Sequence, residues 1–196
     1  MPPPVMLPSI APSPMSLTAI AAPAPKREHA DSINFSPLGL LIGAYALGYE
    51  HLFPGGHGLI LEGGYAASSG SGGSAYSMSG TVGYRWHWRG QQNSGFLGVN
   101  LSQGFGRGTG TIDDNGKMSS IGVDVTATTL TANVGKRWMI GDSVNVTLRI
   151  GAGYGRYAVH TDSMDPDAKA AEKVVNDLLT RIPVAVDGEL SIGYVF

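Results

Sequence analysis

The feature that most constrains this chain is a two-residue alternation of apolar and polar side chains, which runs from about residue 30 to the last residue. A period of two is that of a β-strand with two different faces. In the clearest segment one face carries Tyr76, Met78, Val82, Tyr84, Trp86 and Trp88, and the other carries Ser77, Ser79, Thr81, Gly83, Arg85 and His87. Two tryptophans and two tyrosines are too large to pack together inside a narrow barrel. We therefore predict that the apolar face contacts lipid and that the polar face turns inward.

The same alternation recurs in five further segments, each near the roughly 9–11 residues that a tilted strand needs to cross a bilayer. Their apolar positions are Leu59, Leu61 and Tyr65; Leu97, Val99, Leu101 and Phe105; Leu130, Ala132, Val134 and Trp138; Val144, Val146, Leu148, Ile150 and Tyr154; and Leu190, Ile192, Tyr194 and Phe196. No stretch reaches the about 18 apolar residues of a transmembrane helix, so a membrane protein of this sequence would cross with strands.

The strand count decides how residues 31–53 are divided. Together with residues 44–53, the alternating segments make an odd number of strands, whereas single-chain bacterial membrane barrels have an even number, at least about eight. We therefore predict a first strand at residues 32–36, a break at Pro37, Leu38 and Gly39, and a second strand from about Ile42 to Phe53. The predicted fold is all-β: an eight-stranded antiparallel up-and-down transmembrane β-barrel with both termini periplasmic.

The connections predict which end of the barrel faces which side of the membrane. Short turns at 53–56, 90–94 and 140–142 alternate with longer loops at 68–74, 107–120 and 159–183. Membrane barrels have short periplasmic turns and longer extracellular loops, with aromatic girdles at both interfaces. The aromatic residues near the short turns and the C-terminus are predicted to form the periplasmic girdle: Tyr49, Trp86, Trp88, Trp138, Tyr194 and Phe196. Tyr65, Tyr76, Phe105 and Tyr154 would form the outer one.

One segment in the last long loop has helical spacing instead. Residues 165–181 begin with Asp165 or Asp167 as a cap and Pro166 at an early position, as helices often do. Apolar residues follow at helical spacing at Ala171, Val174, Val175, Leu178 and Ile182. We predict a helix that either forms a lid packed on the barrel mouth or binds a partner or lipid.

Composition agrees with a barrel in an apolar setting and excludes several alternatives. The chain has 29 glycines and 14% charged residues, against roughly 25% charged residues in soluble domains. A net charge of -2 favours no nucleic-acid partner, and without cysteine there is no disulfide framework or thiolate metal site. Residues 1–30, rich in Pro and Ala, are either an atypical export signal or a disordered arm, and residues 31–196 form the barrel.

The C-terminal segment resembles a known targeting signal. Residues 188–196 read GELSIGYVF, similar to the C-terminal signal of bacterial outer-membrane barrels, in which a final Phe follows apolar or aromatic residues at every second position. Leu190, Ile192, Tyr194 and Phe196 match it. The resemblance implies outer-membrane lipids as surroundings and the barrel assembly machinery as a partner during insertion.

A second resemblance lies near the start of the barrel. Residues 36–41, followed by Gly48, Tyr49 and Glu50, are similar to the start of the small eight-stranded outer-membrane barrels of the DUF3575-like, OmpA-like group. The two resemblances together cover about residues 31–196, and the chain departs from the group's pattern in its poor signal peptide and helical last loop. They imply a fold and a location in the bacterial outer membrane, and no activity.

Charged residues on the inward face are the main candidates for a functional site. By alternation these are Glu50, Glu62, Arg85, His87, Arg137, Arg149 and Glu189. An eight-stranded barrel is just wide enough for side chains to fill it, and buried charges must be paired. We predict a lumen charge network that plugs the barrel, with a narrow ion- or proton-conducting path as the alternative.

The sequence patterns that would indicate an enzyme or a cofactor site are weaker than the pattern of inward charges. Some eight-stranded barrels are lipid A deacylases that use Ser, His and an acid, and His160, Asp162 and Ser163 are the nearest candidates. His51 and His57 flank a turn without an evident third metal ligand. We therefore expect no catalytic, cofactor or metal site, and predict a structural role or protein binding through the long loops, with a lipid-modifying enzyme as the alternative.

Overall fold

The computed structural model describes residues 29–40, 43–114 and 117–196, so most of the Pro-rich segment 1–30 lies outside the described residues. Eight antiparallel strands form one closed barrel in sequential order, which confirms the predicted fold. The elements are β1 (Asp31–Phe35), α1 (Pro37–Leu40), β2 (Ala44–Phe53), β3 (His57–Gly70), β4 (Gly73–His87), β5 (Gly95–Asp114), β6 (Lys117–Ile140), β7 (Val144–Thr161), α2 (Pro166–Arg181) and β8 (Val184–Val195).

The division of residues 31–53 into two strands is confirmed, with β1 one residue earlier than predicted, while the predicted start of the second strand at Ile42 lies outside the described residues. β1 ends at Phe35 and α1 begins at Pro37, which has no N–H to donate to a sheet. β1 pairs with β2 on one side and with β8 on the other. Two backbone hydrogen bonds between Asp31 and Phe196 lie at the seam, so the last residue of the chain takes part in closing the barrel.

The short turns share one end of the barrel, which we call the short-turn end. They follow β2, β4 and β6, whereas the opposite end carries the hairpins β3–β4 and β5–β6 and the β7–α2–β8 connection. Gly55 and Gly56 adopt φ of 90° and 83° in the first turn. A Cβ at Gly56 would collide with the carbonyl oxygen of His87, so this turn packs directly on the end of β4.

Two predicted long loops are wrong, because the strands continue through them. β3 and β4 stay paired as far as Gly70 and Gly73, and β5 and β6 as far as Asp114 and Lys117. The glycines, serines and threonines of these segments carry no apolar alternation, yet their backbones still form ladder hydrogen bonds. We call this opposite end the long-hairpin end.

In this barrel charged side chains are buried and apolar side chains are exposed, the reverse of what water-soluble proteins show. Arg137 is 0% exposed and Glu50 1%, whereas Leu47 on the outer wall is 59% exposed and Ile150 66%. The few buried apolar side chains are Leu52, Ile60, Phe96, Ala185 and Val195. Within the described part of the chain, neither helix is long and apolar enough to cross a bilayer.

The predicted helix is present as α2. Its N-cap is Asp165, whose side chain accepts a hydrogen bond from the backbone N–H of Asp167 at 3.0 Å, and Pro166 follows in the first turn. Among the described residues β7 is the element that α2 contacts, so the helix does not pack across the barrel mouth as a lid. The helix lies instead along the edge of β7.

Candidate functional site

The inward charges converge near the short-turn end, where Glu50 lies at the centre of a buried group. Its Oε2 accepts from Nη1 of Arg85 at 3.0 Å and from Nη2 of Arg137 at 2.6 Å. Its Oε1 lies 2.9 Å from Nε2 of His87. The four side chains come from β2, β4 and β6, and each is at most 1% exposed. One carboxylate thus ties three strands of the wall together.

A second group surrounds Arg149, further along the lumen. Its Nη1 and Nη2 bind the two carboxylate oxygens of Glu62 at 2.9 and 3.0 Å. Nη2 also lies 3.0 Å from Asp187, and Nη1 lies 3.2 Å from Glu189. Arg85 connects the groups, since its Nη2 donates to Glu189 at 2.5 Å. All seven predicted charges therefore belong to one network, which we call the lumen cluster.

Neutral side chains add hydrogen bonds to the lumen cluster, although the buried Nε atoms of Arg85 and Arg149 have no hydrogen-bond partner among the described residues. Arg137 donates through Nε to Thr147 at 3.0 Å and through Nη1 to Ser32 and Gln92. Asp187 accepts hydrogen bonds from Asn100 at 2.9 Å and Asn133 at 3.2 Å. Buried ion pairs offset their desolvation only when such additional bonds are made.

Two members of this site were missed in the sequence. Asp187 lies two residues before Glu189 on β8, so the alternation that placed Glu189 inward also applied to it. Gln92 lies in the turn between β4 and β5, where no periodicity indicates which way a side chain points.

Phe96 is an apolar side chain that packs against the lumen cluster. It is 0% exposed, and its ring centroid lies 4.5 Å from the guanidinium carbon of Arg85 and 5.3 Å from the ring of His87. Cations over an aromatic face are attracted by the ring quadrupole, more strongly where water is excluded. The ring therefore packs against the charged groups and itself adds no polar group that needs a hydrogen-bond partner.

The predicted girdle aromatics lie on the outer wall toward the short-turn end. Tyr49, Trp86, Trp88, Trp138 and Tyr194 are each between 39% and 57% exposed. Tyr49 donates its hydroxyl hydrogen to Asp31 at 2.5 Å, and the hydroxyl of Tyr84 lies 2.5 Å from the ring of His57. Rings that are exposed at one side and hydrogen-bonded at the other are typical of residues at a membrane interface.

The C-terminal strand places its predicted signal residues on the outer wall. Leu190, Ile192, Tyr194 and Phe196 are 37–57% exposed, whereas Val195 points inward and is 1% exposed. Their row is continuous with the apolar face of β7, because Leu190 pairs with Leu148 and Tyr194 with Val144.

The candidate catalytic residues do not come together. Nδ1 of His160 lies 3.4 Å from Glu172, Asp162 binds the Gly122 N–H at 2.8 Å and Arg107 at 3.4 Å, and the Ser163 hydroxyl oxygen accepts from the Asp165 N–H at 3.2 Å. Each group is thus bonded to a different neighbour. Their adjacency in sequence does not produce the base–nucleophile hydrogen bond that a triad needs.

His51 and His57, the two histidines near the first turn, do not share a partner. His51 lies 2.7 Å from Asp31 and His57 lies 2.5 Å from Tyr84, so each has its own partner. Over residues 29–40, 43–114 and 117–196 no group of three or more potential metal ligands is found.

Helix α2 bonds the edge of β7 beyond the point where β8 begins, opposite Tyr154. The Asn176 side chain accepts from the Val159 N–H and donates to the Val159 carbonyl, both at 2.8 Å. Glu172 accepts from the Thr161 N–H at 3.0 Å, and Lys169 donates to the Thr161 carbonyl at 2.7 Å. The Thr161 N–H and then the Lys169 ammonium lower the pKa of Glu172 to about 2. The helix thus protects an open strand edge, which would otherwise pair with other chains.

The chain has a structural likeness among solved proteins but matches no protein-family model and no curated protein. The crystal structure of Acinetobacter baumannii CarO2 matches with a TM-score of 0.48 and 9% sequence identity, over 86% of this chain and 98% of that chain. We draw no functional conclusion from a likeness of this degree. The resemblance to the DUF3575-like, OmpA-like group accordingly stays a prediction beyond the barrel fold itself.

Proposed function

We propose that this protein is an integral barrel of the bacterial outer membrane, with both termini in the periplasm. The observation that carries the proposal is the reversed burial. Arginines and glutamates fill the interior, whereas leucines, valines and aromatic rings form a continuous outer wall. Such a wall is unfavourable in water and favourable in hydrocarbon. Closure of the barrel also leaves every strand paired on both sides at membrane depth, as lipid requires.

The lumen cluster favours a plugged barrel over a narrow ion-conducting pore. Glu50, Arg85 and Arg137 contact one another at hydrogen-bond distance across the short-turn end, and Phe96 packs beneath them. An ion crossing this end would have to separate buried charges that are paired with one another, which costs several kcal/mol, about as much as breaking a buried ion pair.

The role we propose is structural or interactive, with the long-hairpin end as the surface for a protein partner. The hairpins β3–β4 and β5–β6 and the helix α2 project at that end, and α2 leaves Val174, Leu178 and Ile182 more than half exposed. Membrane lipids surround the barrel, and the assembly machinery would meet it through the C-terminal strand. A lipid-modifying enzyme is less favoured, because His160, Asp162 and Ser163 have separate partners.

The proposal is tested by purification with and without detergent, followed by gel electrophoresis of heated and unheated samples. We expect aggregation without detergent and a mobility shift on heating, as for folded membrane barrels. A monodisperse, detergent-free protein would contradict the membrane location. Planar-bilayer recording separates the second claim: steady conductance from the folded wild-type barrel would contradict the plugged lumen while leaving the membrane location intact.

A further inference from the structure

The lumen cluster contains one more carboxylate than guanidinium. The acids are Glu50, Glu62, Asp187 and Glu189, and the permanent cations are Arg85, Arg137 and Arg149. His87 is the remaining titratable side chain that contacts them. As an imidazolium it balances the charge of the cluster, and as a neutral ring it leaves one negative charge uncompensated.

The hydrogen bonds of His87 indicate which form the site fits. Nε2 lies 2.9 Å from Oε1 of Glu50, and Nδ1 lies 2.9 Å from the hydroxyl oxygen of Ser94. Ser94 donates its single hydroxyl hydrogen to the carbonyl of Gln91 at 2.9 Å, and while that bond is made it can only accept from Nδ1. An ionised carboxylate also only accepts. Both ring nitrogens therefore need a hydrogen, and the imidazolium alone has two.

Ser94 belongs to the turn 88–94, which closes the short-turn end against the cluster. The same turn contributes Gln92, which accepts from Arg137 and whose amide nitrogen donates to the carbonyls of His29 and Ala30 at 3.4 and 3.5 Å. The Ser94 carbonyl accepts from the Arg137 N–H at 2.9 Å. The turn is thus held both to the cluster and to the start of the barrel, and the Ser94–Gln91 bond inside it depends on the proton of His87.

We propose that His87 is a proton-dependent latch that holds the turn 88–94 closed over the lumen. With its proton, the ring donates to both Glu50 and Ser94. Without it, the one remaining N–H stays on Nε2 toward Glu50 and the Ser94 hydroxyl turns to donate to Nδ1, so the bond from Ser94 to the Gln91 carbonyl is lost. The groups that face the ring are Glu50 from β2, Phe96 from β5 and Ser94 from the turn; Arg85 on β4 and Arg137 on β6 share the Glu50 carboxylate.

The direction of the pH effect follows from which groups can donate a hydrogen bond. The bond from Ser94 to the Gln91 carbonyl, inside the turn, is present at low pH and lost as pH rises and the ring loses its proton. We expect the turn to loosen at high pH while the Glu50 contacts to Arg85 and Arg137 persist, since guanidinium groups stay charged. The latch needs only the barrel and not its location in a membrane.

The test is nuclear magnetic resonance of the folded barrel in micelles, from about pH 5 to pH 9. Ring nitrogen shifts of His87 report whether one or both nitrogens carry hydrogen, and corrected amide exchange of Ser94 reports whether the turn is closed. We expect two protonated nitrogens with a protected turn at low pH, and an about tenfold fall in protection as the ring deprotonates, the equivalent of one hydrogen bond. A singly protonated ring beneath a fully protected turn would overturn the proposal.

Two variants make the assignment specific. In Ser94→Ala and His87→Gln the pH-dependent step in turn protection should disappear, with protection low throughout. His160→Gln, which changes the exposed ring beside Glu172, should keep the wild-type step. A step that survives in His87→Gln would assign the pH dependence to another group and refute the latch. The wild-type measurement decides the question if His87→Gln does not fold.

Discussion

The two ends of the lumen are built differently, as the inner face of β5 shows along one strand. At the short-turn end this face carries Phe96, Gly98 and Asn100, which pack against the lumen cluster. Toward the long-hairpin end it carries Gly104, Gly106, Gly108 and Gly110, where the nearest heavy atoms lie at 3.4 Å or more from an added Cβ. At the first end side chains bond across the lumen, whereas at the second the inner face of β5 contributes only the hydrogen bonds of its backbone ladders. Side-chain substitutions should therefore act strongly at the first end and weakly at the second.

The largest expected effect is on the centre of the short-turn end. Glu50→Gln removes the charge that binds Arg85 and Arg137, both of which stay buried. We expect a loss of about 3–5 kcal/mol in the free energy of unfolding, measured by urea titration of the barrel in lipid vesicles. Asp124→Asn is the matched control, because its pair with Arg107 is 3.7 Å long and partly exposed, and it should cost less than about 1 kcal/mol. Equal effects would contradict the comparison.

The second prediction compares the inner wall with the outer one. Ile150 follows Arg149 on β7 but points outward and is 66% exposed. Ile150→Arg should destabilise the barrel by roughly 2–4 kcal/mol in a bilayer, because the charge would face hydrocarbon. Ile150→Leu controls for the change of shape. No difference between the two variants in vesicles would argue against a lipid-facing wall.

The third prediction sharpens the comparison within one strand and one face. An alanine Cβ at Gly98 would lie 2.6 Å from Oδ1 of Asn133 and 2.8 Å from the carbonyl oxygen of Tyr84, whereas at Gly108 its nearest neighbour would be 4.0 Å away. Gly98→Ala should therefore cost about 1–3 kcal/mol. Gly108→Ala should be neutral or stabilise by up to about 1 kcal/mol through the unfolded chain. The same urea titration measures both, and a reversed order would refute the contrast between the ends.

The smallest effect is local and lies at the long-hairpin end, on the edge of β7. The pKa of Glu172 is lowered to about 2, so its carboxylate should stay ionised and bonded to the Thr161 N–H at pH values below the pKa of an ordinary glutamate, and lose this bond only as pH falls toward 2. Corrected amide exchange of Thr161 should show protection at pH 4 that Glu172→Gln weakens and that acid removes. The exchange of Val159, which is held by Asn176, serves as the internal reference and should not follow the same pH dependence.

What the sequence predicted well was the property that needs only a two-residue period. Because successive side chains of a strand point to opposite faces, the outward position of Trp86 and Tyr194 and the strand count of eight followed from local pattern and parity. The lengths of β3 to β6 could not be predicted in this way, because small residues such as Gly108 and Ser74 pair by backbone and show no contrast between faces. The position of α2 could not be predicted either. It covers an edge of β7 that is free only because β8 begins opposite Tyr154 and leaves the later residues of β7 without a neighbouring strand on that side within the described part of the chain.

By itself, then, the sequence determined how many strands there are and which side chains of the alternating segments face inward, since the alternation depends on neighbours in the chain. The tertiary structure decided which side chains contact one another. Glu50 meets Arg85, Arg137 and His87 because the register of three strands brings them to one height in the lumen. Gln92 joins them because a turn folds back over the barrel end, and His160 faces Glu172 because a helix lies along β7. These contacts join residues far apart in the sequence, so no local period can encode them.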